Sequence, residues 1–468
     1  MNTEHDKIRQ NGQQVLLVVS IVLGGFLSLY NSVAMNVAIP TFVRVFGTDL
    51  GQVQWIMISY TLMMGVLSPT AGYFADKFSC RNLFCFSMAG FAMVALLSGF
   101  CGNIYQMIAI RLIQGGLAAF IVPCSMMIIY QLIPYKQRSV FLTLQTVSMS
   151  MGPAVGPVIS GLLLTCTNWH WVFWINVPIA LLTAWAVYQA VPYELHDSQE
   201  KLDYLGFSYV ILGTVLFLLS FNQVNSWGFS SPAFWAMLLV GAALIVLFVH
   251  RCLHSNHPVL NFQVLSSRDF SIALLINSCI SMALCLVPFV LAIYFQDILG
   301  YTPLFSGMIL LIPAIFSILG GPIAQSIYHK VNSKPIIIVA MLLLAIGSFM
   351  LSHTTLQSTL LFVVFWLCVR YLGIGLSSMP ITDYGMSSID RALSGHGSSL
   401  INWFKMMSTS LSLSIFTMIL SMRVSFYSQR MDNLSAQMAA IVDVFLYSSL
   451  ILFLCAAISL LLKSNKNL

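Results

Sequence analysis

The stretch "RLIQGGLAAFIVP", Arg111 to Pro123, opens with a cation, runs through two adjacent glycines and a series of small or apolar residues, and closes on a proline. It lies inside a longer apolar run at about 105–128. A run of about 20 such residues crosses a hydrocarbon core of about 30 Å as a helix. A guanidinium at that depth is expensive and faces a partner or a cavity inside the protein; an arginine whose head snorkels to the helix end is the plainer alternative. The rest of the chain agrees with this setting. Of its 468 residues 59% are hydrophobic and 7% charged, where a soluble domain carries about 25% charged residues. A soluble globule is excluded. Only helices and closed barrels satisfy their backbone in lipid, and barrels read as short alternating segments. The predicted fold class is an all-α integral membrane protein.

Fourteen candidate spans follow, at about 14–37, 53–74, 82–101, 105–128, 139–165, 170–191, 204–222, 232–252, 270–293, 306–327, 334–352, 357–382, 397–421 and 443–462. With the N-terminus inside, fourteen lysines and arginines fall in inner segments and three (Arg44, Arg423 and Arg430) in outer ones. That asymmetry places both termini in the cytoplasm and the net charge of +6 in the topology. No basic cluster suggests nucleic acid. The polar start of the chain is too long for a signal-peptide n-region, so the first span is expected to be retained. Ten scattered cysteines without a C-x-x-C pair support neither a disulfide framework nor a zinc ribbon. His250, His254 and His257 read as a wet linker rather than a metal site. There is no phosphate-cradling G-x-x-x-x-G-K-[ST], and neither H-E-x-x-H nor G-x-S-x-G occurs. A secondary transporter, a channel or a membrane-embedded enzyme remain.

The chain repeats itself loosely. "RLIQGGLAAFIVP" has a counterpart in "RYLGIGLSSMP", Arg370 to Pro380. "GYFADKFSCRN" (Gly72 to Asn82) has one in "GPIAQSIYHKVNSKP" (Gly321 to Pro335). Parallel repeats of this kind mark transporters with a substrate site between two halves near the midplane.

At these residues the chain resembles the fourteen-span drug:proton antiporters of the major facilitator superfamily. Gly72, Asp76 and Arg81 fall in register with the signature of the loop between spans two and three. Arg111, Gln114, Gly115 and Gly116 match the span-four signature. "SMGPAVGPVISG" matches the antiporter signature of span five through Gly152, Pro153, Gly156, Pro157 and Gly161, and "NWHWVFWINVPIA" the start of span six. The resemblance implies two six-helix bundles plus two additional central helices. The expected organisation is a cytoplasmic tail at 1–13, a first bundle at 14–192, a linker with the two extra helices at 193–255, a second bundle at 256–462 and a tail at 463–468. It also implies alternating access driven by the proton gradient with no cofactor.

The resemblance assigns roles to particular residues. Asp76 and Arg81 would form, with Gly72, a charge-assisted conformational latch. Arg111 would take part in proton coupling, with Arg370 as its symmetry mate. Gly152 and Gly156 share one helix face and invite close packing, while Pro153 and Pro157 free carbonyls for a bend. In the family, span one usually reads acid-x-Thr-x-x-Asn-Val-Ala-Leu-Pro. Here Asn36 is in register, but the acid position holds Asn31, an amide that cannot carry a negative charge. That departure weighs against export of lipophilic cations. Asp383, at the inner end of span twelve, is the best remaining candidate for a buried proton carrier. Asn402 and Lys405 in span thirteen complete the expected substrate and proton pathway. Arg111, Arg370 and Lys405 against one carboxylate favour anionic or zwitterionic cargo, such as a carboxylate metabolite, a siderophore or an acidic drug.

The leading expectation is a proton-coupled exporter in the bacterial cytoplasmic membrane. It would act as a monomer whose partners are protons, small-molecule cargo and the bilayer. A periplasmic adaptor would be needed only for cargo crossing a second membrane. An organic-anion importer of the same fold and a non-transporting membrane sensor are the alternatives. A channel is disfavoured by the lack of a repeated pore loop, and an enzyme by the lack of a nucleophile or metal cluster.

Overall fold

Two spans of this chain break at prolines. The computed structural model describes residues 2–48, 50–192, 203–228, 230–255, 258–301, 303–328 and 330–462. The expected tail at 463–468 and His257 lie outside them, as do the side chains of Asn36, Pro153 and Pro157. In chain order the α-helices are α1 (Asn2–Val33), α2 (Ile39–Phe46), α3 (Leu50–Leu67), α4 (Ala71–Phe78), α5 (Cys80–Ser98), α6 (Ile104–Leu132), α7 (Tyr135–Cys166), α8 (Trp171–Trp174) and α9 (Asn176–Ala190). They continue with α10 (Tyr204–Trp227), α11 (Pro232–His254), α12 (Arg268–Ala292), α13 (Pro303–Tyr328), α14 (Ser333–Leu351), α15 (Leu360–Ser387), α16 (Ser394–Tyr427) and α17 (Asn433–Ser459).

Span one is discontinuous: α1 passes through a 3-10 turn at Ala34–Ala38 before α2 resumes with Pro40 in its first turn. Pro40 has no N–H to give the carbonyl one turn back, and the tighter turn is the consequence. Span two breaks in the same way at Ser68–Thr70, around Pro69. Pro123 and Pro380 lie inside α6 and α15.

Eleven of the helical segments are long and apolar enough to cross a membrane among the described residues. The other three expected spans, 53–74, 139–165 and 270–293, coincide with α3–α4, α7 and α12. Large apolar side chains stay exposed along the helices, Phe86 at 68% and Leu361 at 79%, as a lipid-facing surface requires.

The chain divides into two units. The first comprises residues 1–219, 237–264 and 390–403; the second comprises 220–236, 265–389 and 404–468. In the first, α1 packs against α7 and α9, α3 against α6, and α5 against α6 and α9. In the second, α15 packs against α12, α13 and α14, and α17 against α12 and α14. The repeat seen in the sequence reappears inside the units as two close helix crossings. A Cβ on Gly115 of α6 would fall 2.2 Å from the Tyr60 carbonyl oxygen of α3. One on Gly375 of α15 would fall 2.2 Å from the Ser317 carbonyl of α13. Each arginine-bearing helix therefore needs a glycine about one turn after the arginine, because the neighbouring backbone occupies the space of a side chain.

The glycine face of the span-five stretch is taken up by span one. A Cβ at Gly152 would meet the Tyr30 backbone nitrogen at 2.7 Å, and Gly156 also faces Tyr30. Gly161 lies further along α7, where its carbonyl accepts from the Thr165 hydroxyl. One residue expected in an outer segment lies within a helix. α16 runs on to Tyr427, so Arg423 is helical, and Asp443 sits inside α17, where its carboxylate accepts from Arg423 Nε at 2.5 Å. The helices there outlast the apolar runs because this ion pair and Tyr427, bonded to both partners, satisfy the charges without a loop.

Candidate functional site: a buried polar layer in each unit

In the first unit α6 carries Arg111 to a fully buried position, 0% exposed. All its contacts are to neutral groups. Nε donates to the Ile56 carbonyl of α3 (3.0 Å), Nη1 to Oε1 of Gln114 (2.8 Å) and Nη2 to the Asn31 carbonyl of α1 (2.9 Å). The guanidinium carbon sits 4.1 Å from the centroid of the Tyr60 ring, and Tyr60 donates to the Ser28 carbonyl (2.8 Å). A carbonyl has two lone pairs, and Asn31 lies where α1 gives way to the 3-10 turn, with its oxygen open to the arginine. No carboxylate pairs with Arg111 among the described residues. The charge is held by three oxygen dipoles and a ring quadrupole.

The Asn31 side chain extends this layer to α9. Its Nδ2 donates to the Leu27 carbonyl (3.1 Å) and to Oδ1 of Asn176 (2.9 Å). Asn176 in turn donates to the carbonyls of Val172 (3.1 Å) and Phe173 (2.9 Å). Two buried atoms are left without partners here, Oδ1 of Asn31 and Nε2 of Gln114. Sequence reasoning pointed to Asn31, Arg111 and Gln114 and missed Asn176, whose only signal was an amide in an otherwise apolar aromatic stretch.

The second unit has a related layer. Arg370 of α15 is also 0% exposed. Nε donates to the Ser348 hydroxyl of α14 (2.8 Å) and Nη2 to the Ala283 carbonyl of α12 (2.5 Å), while Nη1 has no partner. In both units, then, the arginine binds a carbonyl on the unit's first long helix. Gly373, three residues on, stands where Gln114 follows Arg111, so Arg370 lacks the amide partner. Asp383, between three and four turns further along α15 and 2% exposed, accepts from the Tyr328 hydroxyl at 2.5 Å and from Ser387 at 3.4 Å. Of the other expected pathway residues, Asn402 of the first unit is buried and Lys405 of the second is partly buried.

The residues of the loop between spans two and three go separate ways. Asp76 lies in the last turn of α4, with its carboxylate 3.2 Å from Nε2 of His396 at the start of α16. Nδ1 of His396 accepts from the Asn261 backbone N–H, so in the neutral ring Nε2 carries the hydrogen and donates to Asp76. Gly72 donates to the Ser399 hydroxyl (2.8 Å), and a Cβ there would sit 2.9 Å from the Gly395 backbone. Arg81 lies in the first turn of α5, beyond Ser79, whose φ of +67° turns the chain sharply. Its guanidinium stacks 4.2 Å from the Tyr188 ring of α9. The turn at Ser79 points Asp76 and Arg81 toward different neighbours. His396 was not singled out from the sequence, where it stood in a polar segment some 320 residues from its partner.

The two extra helices are tied at one end. Asp203 accepts from the Gly206 N–H, capping α10, and from Arg251 of α11 at 2.6 Å. Phe207 of α10 packs edge-on against Tyr73 of α4, 5.3 Å between centroids.

Comparison with known proteins agrees with this architecture. The uncharacterized MFS-type transporter YhcA of Bacillus subtilis (strain 168) is 30% identical over 436 residues, 93% of this chain and 82% of that protein. MdtD of Salmonella typhimurium (strain LT2), whose name ascribes multidrug resistance to it, is 23% identical over 95% of this chain and 92% of its own. Among solved structures, the human organic anion transporter MFSD10 superposes with a TM-score of 0.64 at 14% identity, covering 93% of this chain and 99% of that one. The proton:xylose symporter XylE does so with 0.63 at 15%, covering 94% and 95%. These structures share the fold. The description of the Major Facilitator Superfamily matches residues 21–413, and with the paired arginine helices and the repeated glycine crossings it follows that this chain is a multi-pass membrane protein belonging to the Major Facilitator Superfamily of transporters.

Proposed function

We propose that the protein is a proton-coupled exporter of small anionic or zwitterionic molecules, in which Asp383 carries the proton. The observation behind the cargo class is the pair of buried guanidiniums, Arg111 and Arg370, each bonded to neutral oxygens and to no carboxylate among the described residues. At an effective dielectric of about 20, each attracts a negative charge about 10 Å away by on the order of 1–2 kcal/mol and repels a cation equally. Asp383 is shielded from water and hydrogen-bonded to a neutral hydroxyl, a setting in which a carboxyl can gain and lose a proton as access alternates. Export rather than import rests on the resemblance of the span-five stretch, and proton coupling on the resemblance of span four. No cofactor is required; the cell membrane supplies the gradient, and a monomer suffices.

The test is transport in proteoliposomes under an imposed pH gradient, with tetraphenylphosphonium and a panel of organic anions and zwitterions offered in parallel. The expected result is anion or zwitterion movement against proton flow, without movement of the cation. Fast exchange of the permanent cation for protons overturns the cargo class. Movement of anion in the same direction as protons turns the reading to import.

A further inference from the structure

We propose that Cys80 and Cys124 are an oxidisable thiol pair in the first unit, which a water-borne peroxide closes to a disulfide. Its chemistry depends neither on the cargo nor on the direction of transport. Cys80 opens α5 directly after the Ser79 turn, and Cys124 follows Pro123 inside α6. The Cys80 thiol donates to the Cys124 carbonyl at 3.4 Å. The two thiols are also hydrogen-bonded to each other. Cys80 has committed its one hydrogen to the carbonyl, so Cys124 donates to the Cys80 sulfur.

Cys124 is 0% exposed and Cys80 9%, so an oxidant reaches the pair through Cys80. The way in is a cleft of about 10 Å³, room for one water-sized molecule. Ser79, Cys80, Arg81 and Gln131 line it. Nε of Arg81 is buried without a hydrogen-bond partner and can hold a peroxide oxygen beside Cys80. The repeat marks the same corner in the other unit. Cys124 stands as far along α6 from Arg111 as Asp383 stands along α15 from Arg370. Asp383 is bonded to Tyr328, the last residue of α13 before the turn into α14, and Cys124 to Cys80, at the turn between α4 and α5. Each unit thus closes this corner with two side chains that can lose hydrogen, a phenol and a carboxyl in the second and two thiols in the first.

The sulfur of Cys80 attacks one peroxide oxygen, the O–O bond breaks, and the thiol hydrogen leaves with the other oxygen as water. Cys80 is then a sulfenic acid. Cys124 attacks that sulfur, the S–O bond breaks, and its own hydrogen leaves with the hydroxyl as a second water. Both sulfurs are oxidised, the peroxide is reduced, and a dithiol reverses the bond. A disulfide on the expected cytoplasmic side is a transient, redox-sensing one rather than a structural staple. Neighbouring thiols lack this arrangement. Cys85 donates to the Ala184 carbonyl of α9 at 3.5 Å. In the second unit Cys279 of α12 and Cys455 of α17 are also hydrogen-bonded, but the cleft at Cys279 is lined by Met282, Ala283, Phe416, Ser448, Ile451 and Leu452, apolar except for one hydroxyl.

The experiment exposes the purified, lipid-reconstituted protein to graded hydrogen peroxide, unfolds it in N-ethylmaleimide to cap the remaining thiols, and maps the peptides by mass spectrometry. The expected product is a Cys80–Cys124 cross-linked peptide, two hydrogen masses lighter than its parts, which dithiothreitol opens again. Cys166, exposed at the end of α7, reports that the oxidant was delivered. In Cys124→Ser, which lacks the second thiol, Cys80 is expected to stop at the sulfenic acid and to be trapped by dimedone. In Cys80→Ser, Cys124 is expected to stay reduced. Oxidation of Cys166 while Cys80 and Cys124 both still take up maleimide overturns the proposal. So does a Cys80–Cys85 bridge in place of the expected one, or a Cys124 oxidised as fast in Cys80→Ser as in the unmodified chain. The cross-link is read in the unmodified chain and without cargo, so a variant that fails to fold, or a protein that moves no anion, leaves this proposal decided.

Discussion

Gly115→Ala is the sharpest probe of how the arginine layer is held. The added methyl would lie 2.2 Å from the Tyr60 carbonyl oxygen, 2.8 Å from its carbon and 2.9 Å from Cα, all backbone. None of these is a flexible tip that can rotate away, so α3 and α6 must part by about 1 Å for an ordinary contact. Overpacking of this kind costs about 1–3 kcal/mol. One turn away on the same pair of helices, Arg111 Nε reaches the Ile56 carbonyl at 3.0 Å. Separation by about 1 Å breaks that bond, and hydrogen bonds to charged groups contribute about 1.5–3 kcal/mol. The sum is about 2.5–6 kcal/mol. Gly116→Ala is the matched control: its methyl meets Cδ1 of Leu67 at 3.1 Å, the end of a side chain that can move, and less than about 1 kcal/mol is expected. Reversible unfolding in mixed micelles, followed by tryptophan fluorescence, reads the two side by side. Equal stability of the two variants would refute the claim that the arginine depends on this crossing.

Three further outcomes are expected. Asp383→Asn should abolish gradient-driven transport while leaving cargo-for-cargo exchange intact, measured with labelled cargo on both sides of the vesicle; loss of both would remove Asp383 from proton carriage. Gly72→Val should displace the first turn of α16 from α4, since even a Cβ comes within 2.9 Å of the Gly395 backbone, and should slow transport with little change in cargo binding, as read by equilibrium binding beside initial rates. Arg251→Met should destabilise more than Asp203→Asn in thermal unfolding. It leaves a carboxylate whose side chain is 4% exposed with the Gly206 cap as its remaining bond, although the 39% exposure of Arg251 keeps the loss to about 1–2 kcal/mol.

The sequence made some of this legible and hid the rest for physical reasons. Span-length apolar runs announced the helices, because hydropathy is a local property. Arg111 and Arg370 stood out because charge is rare in such runs, whereas the 3-10 breaks at Pro40 and Pro69 were not read from it. Partner choice was another matter. Asp76 was expected to work with Arg81, five residues on, yet one residue with positive φ, Ser79, sends them apart, and nothing local identifies His396 as the carboxylate's neighbour. Asn176 stayed hidden for the same reason: its meaning lies in an amide 145 positions away. Arg423 was placed outside span thirteen because charge ends an apolar run, whereas a paired charge does not end a helix.

Arg111 takes hold of Asn31 and Ile56 through their carbonyls. A peptide oxygen survives every side-chain exchange. A mutational survey of this layer will therefore leave the arginine's grip on α3 and on α1 unchanged at whatever side chain stands at position 56 or 31, and what it reads at Ile56 is the loss of a buried core side chain. What such a survey reads at position 31 is the amide's bond to Asn176, so a single position carries two duties, and only one of them is written in the genetic alphabet.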